Sequence, residues 1–191
     1  MEKSLDIPPF PLLKWDDYYW VGSIFLPTWA GFQARLGSYG AESSTIGSDG
    51  SAYLNVITPE DKQVSPSSQQ AAAYQHLIEQ QEAIRDAILQ IIFTNYHQWQ
   101  EEYSYKDEDI EEFMPNIERI DQLKPLMGLS TARIFSISKN DLAYVGFEFG
   151  CTWDDEHGLG VMTHGNRVVE VGGADTAILE WIAEKDAKSN L

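Results

Sequence analysis

Apolar residues alternate with polar ones in the first third of the chain, recur at helical spacing in the middle, and alternate again in the last third. Pro8, Pro9 and Pro11 exclude a helix interior and predict an extended lead-in over residues 1–16. Tyr18 to Leu26 reads as a strand, rich in aromatic and β-branched residues and closed by Pro27. Trp29 to Leu36 is a candidate second strand, weakened by Gly31. Residues 37–51 hold four Gly, five Ser and an Asp49-Gly50 turn signal, and so predict a loop. Ala52 to Thr58 reads as a third strand, and the three are expected to form an antiparallel meander.

The middle of the chain changes period. Ser65 before Pro66 offers a helix start, and Ser67 with Gln70 offers a capping box as the alternative. From there to about Trp99 an apolar stripe runs through Tyr74, Leu77, Ile78, Ile84, Ile88, Ile91, Ile92 and Tyr96. Gln80, Gln81 and Glu82 interrupt it, which predicts a kink or split in a helix of unusual length. A short helix is expected from Asp107 to Met114, stopped by Pro115. Another is expected after Asp121, through Leu123, Leu126 and Met127, with Gly128 as its stop.

The last third predicts strands over Ala132 to Ile137 and Leu142 to Cys151, joined at Lys139-Asn140-Asp141. Alternation puts Val145, Phe147, Phe149 and Cys151 on one face of the second strand. Tyr144, Gly146, Glu148 and Gly150 take the other, which reads as thin and accessible. Residues 152–158 read as a loop. Leu159 to Thr163 and Arg167 to Val171 form a hairpin around His164-Gly165-Asn166. Asp175 or Thr176 is a candidate cap for a terminal helix whose apolar side is Ile178, Leu179, Trp181 and Ile182, followed by a frayed tail over 184–191.

The expected class is α+β, with antiparallel strands from the N- and C-terminal parts packed on one long central helix plus a short C-terminal helix. We read residues 1–191 as one domain. It comprises a strand lobe (about 15–60), the long helix (about 66–100), an acidic segment (101–121) and a C-terminal hairpin region with helix (129–187).

Charge narrows the partners. Thirty acids against 13 bases give a net charge of −17, which repels nucleic-acid phosphates and anionic lipid and attracts a basic protein. Nine acids and two bases fall between Glu101 and Asp121. Cys151 is the single cysteine, so no internal disulfide forms. The start carries no apolar run of signal-peptide length, and no stretch approaches a membrane span. Together these favour the cytoplasm.

Candidate chemistry concentrates in "CTWDDEHGLGV", Cys151 to Val161. Asp154, Asp155, Glu156 and His157 offer oxygen and imidazole donors, with His164 as a further metal ligand across the hairpin, although the spacing is not that of a zinc site. Glu156 and His157 could act as an acid/base couple in a small metal-dependent or acid/base hydrolase, and Cys151 could supply a nucleophile. Alternation turns Cys151 inward, however, where a thiol is a small hydrophobe. The structural alternative is a hydrogen-bonded knot. In it Trp153 anchors by burial, an Asp accepts backbone N–H groups, and Gly158 and Gly160 permit positive φ or close approach. Such a knot still presents Trp153, Asp154, Asp155, Glu156 and His157 as a binding surface. No cofactor is expected. The cluster "WDDYYW" (Trp15 to Trp20) reads as an aromatic strand core.

The run from Tyr144 to Asp175 is similar to the C-terminal signature of a bacterial family of unknown function. Its mark is a Trp-Asp-x-Glu-His-Gly-Leu-Gly-Val block, here Trp153 to Val161, followed by a hairpin and a Gly-x-Ala-Asp helix start. Residues 65–96 also resemble that family's long middle helix. The resemblance implies a small cytoplasmic protein. Some members look like immunity proteins, which bind and neutralise a toxin encoded beside them. It carries over no catalytic residue. The partner it implies is a basic protein such as a cognate toxin.

Overall fold

The computed structural model describes residues 3–35, 42–44, 47–106 and 108–189. Its strands are β1 (Ser4–Leu5), β2 (Leu13–Trp15), β3 (Tyr19–Phe25), β4 (Ala34–Arg35), β5 (Glu42–Ser44), β6 (Ser51–Ile57), β7 (Met127–Lys139), β8 (Leu142–Cys151), β9 (Asp154–His164) and β10 (Arg167–Gly173). The α-helices are α1 (Ser68–Glu79), α2 (Gln81–Tyr103), α3 (Glu108–Phe113) and α4 (Glu180–Lys188). Eight strands form one sheet in the order β1-β2-β3-β6-β7-β8-β9-β10. Neighbours are antiparallel except β6 and β7, which run parallel because α1 to α3 separate them in sequence. The protein is α+β, with a long helix and a short C-terminal one, as its periodicities imply.

The first meander forms without its middle strand. β3 pairs directly with β6, Tyr19 opposite Ile57 through Phe25 opposite Ser51. The expected strand at Trp29 to Leu36 is instead a 3-10 turn at Pro27–Trp29 followed by the two-residue β4; Leu36 lies outside the described residues. Pro27 cannot donate to a ladder, and Trp29 and Phe32 are buried edge to face at 5.0 Å, so packing holds this segment as a coil. Most of the predicted loop at 37–51 also lies outside the described residues, apart from β5 and residues 47–51. The lead-in is extended and supplies β1 and β2 at the sheet edge.

α1 starts with the capping box. Ser67 Oγ accepts the Gln70 N–H at 3.2 Å, and Gln70 Oε1 accepts the Ser67 N–H at 2.9 Å. Gln70 is buried, and its Nε2 donates to the Ile57 carbonyl at 2.6 Å, so the same side chain fixes the helix start against β6. The long helix divides at Gln80 (φ −111°, ψ 16°) into α1 and α2. The 27–29 turn supports the break. Gln81 Oε1 accepts the Thr28 N–H at 3.3 Å, and Arg85 donates to Thr28 Oγ1 at 2.6 Å. Leu77, Ile84, Ile88, Ile92 and Tyr96 then bury the helix stripe against one sheet face.

The segment after Asp121 departs from expectation. A 3-10 turn spans Ile120–Leu123, and Met127 and Gly128 open β7 rather than closing a helix. Pro125, which lacks an N–H, ends the helical stretch, and Gly128 pairs with Gly150. In β8 the inward face is Val145, Phe147, Phe149 and Cys151, all in the main core.

The other face of β8 is covered, not accessible. Tyr144 is fully buried in a second cluster with Phe135, Met162, Ile182 and Ala183. The cover is the 3-10 turn Ala174–Ala177 with α4. It can sit this close because Gly146 and Gly160 lack side chains: an added β-carbon would lie 2.1 Å from the Ala177 carbonyl oxygen and 2.6 Å from that of Gly173. Neither Asp175 nor Thr176 caps α4. Leu179 precedes it without a side-chain cap, and Ile178 and Trp181 are exposed. The tail is held, not frayed, as far as Ser189. Asp186 accepts from Tyr144 Oη at 2.7 Å and from Arg167 at 2.6 Å, and Lys139 Nζ donates to the carbonyls of Asp186 and Ser189.

Two outcomes test this packing. Gly146→Ala should destabilise the protein in urea by about 1–3 kcal/mol or more, the scale of core overpacking. The Arg167 hydrogen bond holds the Asp186 carboxyl below its usual range. A carboxyl lowered on folding contributes stability above its unfolded value, about 3.9, and loses that contribution as pH falls through the folded value. Asp186→Asn should therefore be less stable than wild type at neutral pH, with the difference in urea midpoint closing under strongly acidic conditions.

Candidate functional site

The block is not a loop. β8 ends at Cys151, residues 152 and 153 make the turn, and Asp154 already pairs with Cys151 at the start of β9. Three anchors hold the turn. Thr152 donates through its backbone N–H to the Leu126 carbonyl (2.8 Å) and through Oγ1 to that of Phe113 (2.6 Å). The Trp153 ring is buried edge to face on Tyr96, 5.5 Å between centroids. The Trp153 carbonyl accepts from Tyr105 Oη at 3.0 Å.

Asp154 is the polar centre. Its Oδ1 accepts the His157 backbone N–H at 3.1 Å and lies 3.0 Å from His157 Nδ1. Its Oδ2 accepts from Tyr103 Oη at 2.9 Å. Burial, with Asp154 adding to it, raises the Tyr103 hydroxyl pKa above its usual value, so the phenol stays a donor. The Asp154 side chain is mostly covered, whereas that of His157 is 74% exposed. Gly158 follows at φ +73°, a conformation that favours glycine, and lets β9 resume pairing.

The carboxylate on His157 is thus Asp154 rather than Glu156, which is exposed. The Asp155 side chain lies outside the described residues. His164 is not brought to the block. Seven positions of extended strand separate it from His157, roughly 23 Å. Its ring packs on Tyr144 at 4.6 Å, and its Nε2 faces the Lys139 and Leu142 carbonyls. Among the described residues no three His, Cys, Asp or Glu side chains group as metal ligands. Cys151 is fully buried, and desolvation raises its thiol pKa to about 12, so it is a core residue and not an activated nucleophile. In the "WDDYYW" cluster, Trp15 and Trp20 meet edge to face at 5.2 Å in the core, and Tyr18 is exposed.

Beside the block lies a cleft of about 340 Å³, lined by Trp99, Glu102, Tyr103, Trp153, Gly158, Leu159, Gly172 and Gly173. The C-terminus of α2 forms one wall. Glu101 and Glu102 stand in its last turn with no base, although the negative end of a helix dipole favours cations. Tyr103 and Tyr105, stacked parallel at 6.1 Å, join this helix end to the block. Sequence reasoning passed over both. The available signal was a pair of aromatic residues two apart within a run of charges, where a purely solvated face has no use for them.

Cys151 should be inert to a thiol reagent at pH 8 in native protein, because the thiolate fraction there is on the order of 10⁻⁴. It should react fully in denaturant; rapid native labelling would contradict the burial.

Among the described residues no helix is long and apolar enough to cross a membrane. No curated protein and no solved structure matches the chain. Residues 39–179 match the model of a domain of unknown function, DUF6985, and the chain belongs to that family.

Proposed function

We propose that the protein is a non-enzymatic binding domain of toxin-immunity type, acting in a bacterial cytoplasm, whose acidic end closes over a basic protein such as a cognate toxin. The observation that carries this reading is the company the carboxylates keep. Glu101, Glu108, Asp109, Glu111, Glu112 and Glu118 are all exposed, and none of them meets a cation among the described residues. The side chains of Tyr103, Tyr105 and Thr152 tie the segment bearing these acids to the 153–157 block, which makes one continuous acidic end. Unpaired like charges repel and lower stability, and a basic partner relieves that repulsion while being steered in rapidly. The same field disfavours a phosphate backbone.

The competing reading is a metal-dependent or acid/base hydrolase at Glu156 and His157. The observation in its favour is the exposed imidazole held on the Asp154 carboxylate. It requires stoichiometric metal or a hydrolytic activity, either one lost in a folded His157→Ala variant.

Co-purification with the product of the adjacent gene is the direct test. A complex that weakens with salt, together with protection of cells when both are expressed, is the expected result. Reversing Glu108, Glu111 and Glu112 to Lys should slow association by about tenfold or more at low salt. Absence of both complex and protection removes the proposal.

A further inference from the structure

We infer that the cleft at the C-terminal end of α2 receives an arginine side chain of the basic partner. The inference rests on the acidic end being a protein-binding surface, and it names the group that surface takes in. Three features of the cleft select that group.

Its walls are aromatic. Trp99 is half-buried, and Tyr103 is held by its bond to Asp154 and its stacking on Tyr105. Its charge is negative. Glu102 is exposed, carries a hydrogen bond from Gln98 Nε2 at 2.8 Å and no cation among the described residues, and stands where the α2 dipole is negative. Its far side is glycine. Gly158, Gly172 and Gly173 line it with main chain, which adds no cation to oppose a positive guest.

A cation matches both the carboxylate and the helix end. A planar guanidinium also stacks on indole and phenol rings and presents a fork to a carboxylate, which a lysine ammonium does not. A phosphate or a carboxylate ligand would meet Glu102 and the same negative helix end, and is disfavoured. The larger groove at the helix break, about 840 Å³, does not compete: Glu79, Glu82 and Asp86 stand there beside Arg85 and Lys124, so it selects neither sign of charge.

Hexa-arginine and hexa-lysine peptides, titrated into isotopically labelled full-length protein at about 150 mM salt, where screening acts beyond about 8 Å, provide the test. We expect amide shifts at Gly158, Gly172 and Gly173 and an indole shift at Trp99, with hexa-arginine tighter than hexa-lysine. Glu102→Gln should weaken hexa-arginine about tenfold, the scale of one charged hydrogen bond. Glu184→Gln, on α4, should leave binding as in wild type. Equal affinity of Glu102→Gln and wild type, or shifts confined to residues 108–121, overturns the cleft assignment and leaves the acidic surface standing. If neither peptide binds, the cleft assignment falls, while the binding-domain reading is decided separately by co-purification and protection.

Discussion

The burial of Trp153 against Tyr96 is the contact on which the acidic end depends. Trp153 sits at the tip of the β8–β9 hairpin, and Tyr96 sits two turns before the end of α2. An edge-to-face pair of this kind adds about 0.5–1.5 kcal/mol beyond the area it buries. Its larger effect is positional. Tyr96 Oη donates to the Pro115 carbonyl, Thr152 Oγ1 to that of Phe113, and Tyr105 Oη to that of Trp153. Each bond contributes only about 1 kcal/mol. Together they fold the chain after α2 back over the hairpin tip and bring α3 beside the block.

That arrangement sets the electrostatics. Acids in the last turn of a helix oppose its dipole, and α2 ends on two of them with no base. The cost is tolerable because these groups are exposed and water screens them. The local preference is thus broken where the cleft opens. Asp154 differs from the acids around it. It is mostly covered and bonded to Tyr103 and His157, so it braces this end of the molecule.

Much of the fold was legible in the residues. The bounds of β8, the break of the long helix at Gln80 and the Ser67 capping box each rest on local signals of period, polarity or cap chemistry. The inward Cys151 follows from strand alternation alone. The misses share one cause, which is contact with chain distant in sequence. Trp29 to Leu36 had the composition of a strand but lost its place to direct pairing of β3 with β6. Met127 read as helical and became the start of β7 once Gly128 met Gly150.

The site divides along the same line. Its central residues, its burial anchor and its need for glycine were written in the block from Trp153 to Gly160. The partner of His157, the tyrosines that reach the block from α2, and the cleft between them were not. Sequence by itself determined most of the helix and strand segments and how much negative charge the molecule carries, because period and ionisation are properties of residues and their near neighbours. Only the tertiary structure decided which face of β8 is covered and where the acids gather. Both depend on residues more than 30 positions apart meeting, as the Gly146 backbone meets Ala177 and the Tyr103 side chain meets Asp154.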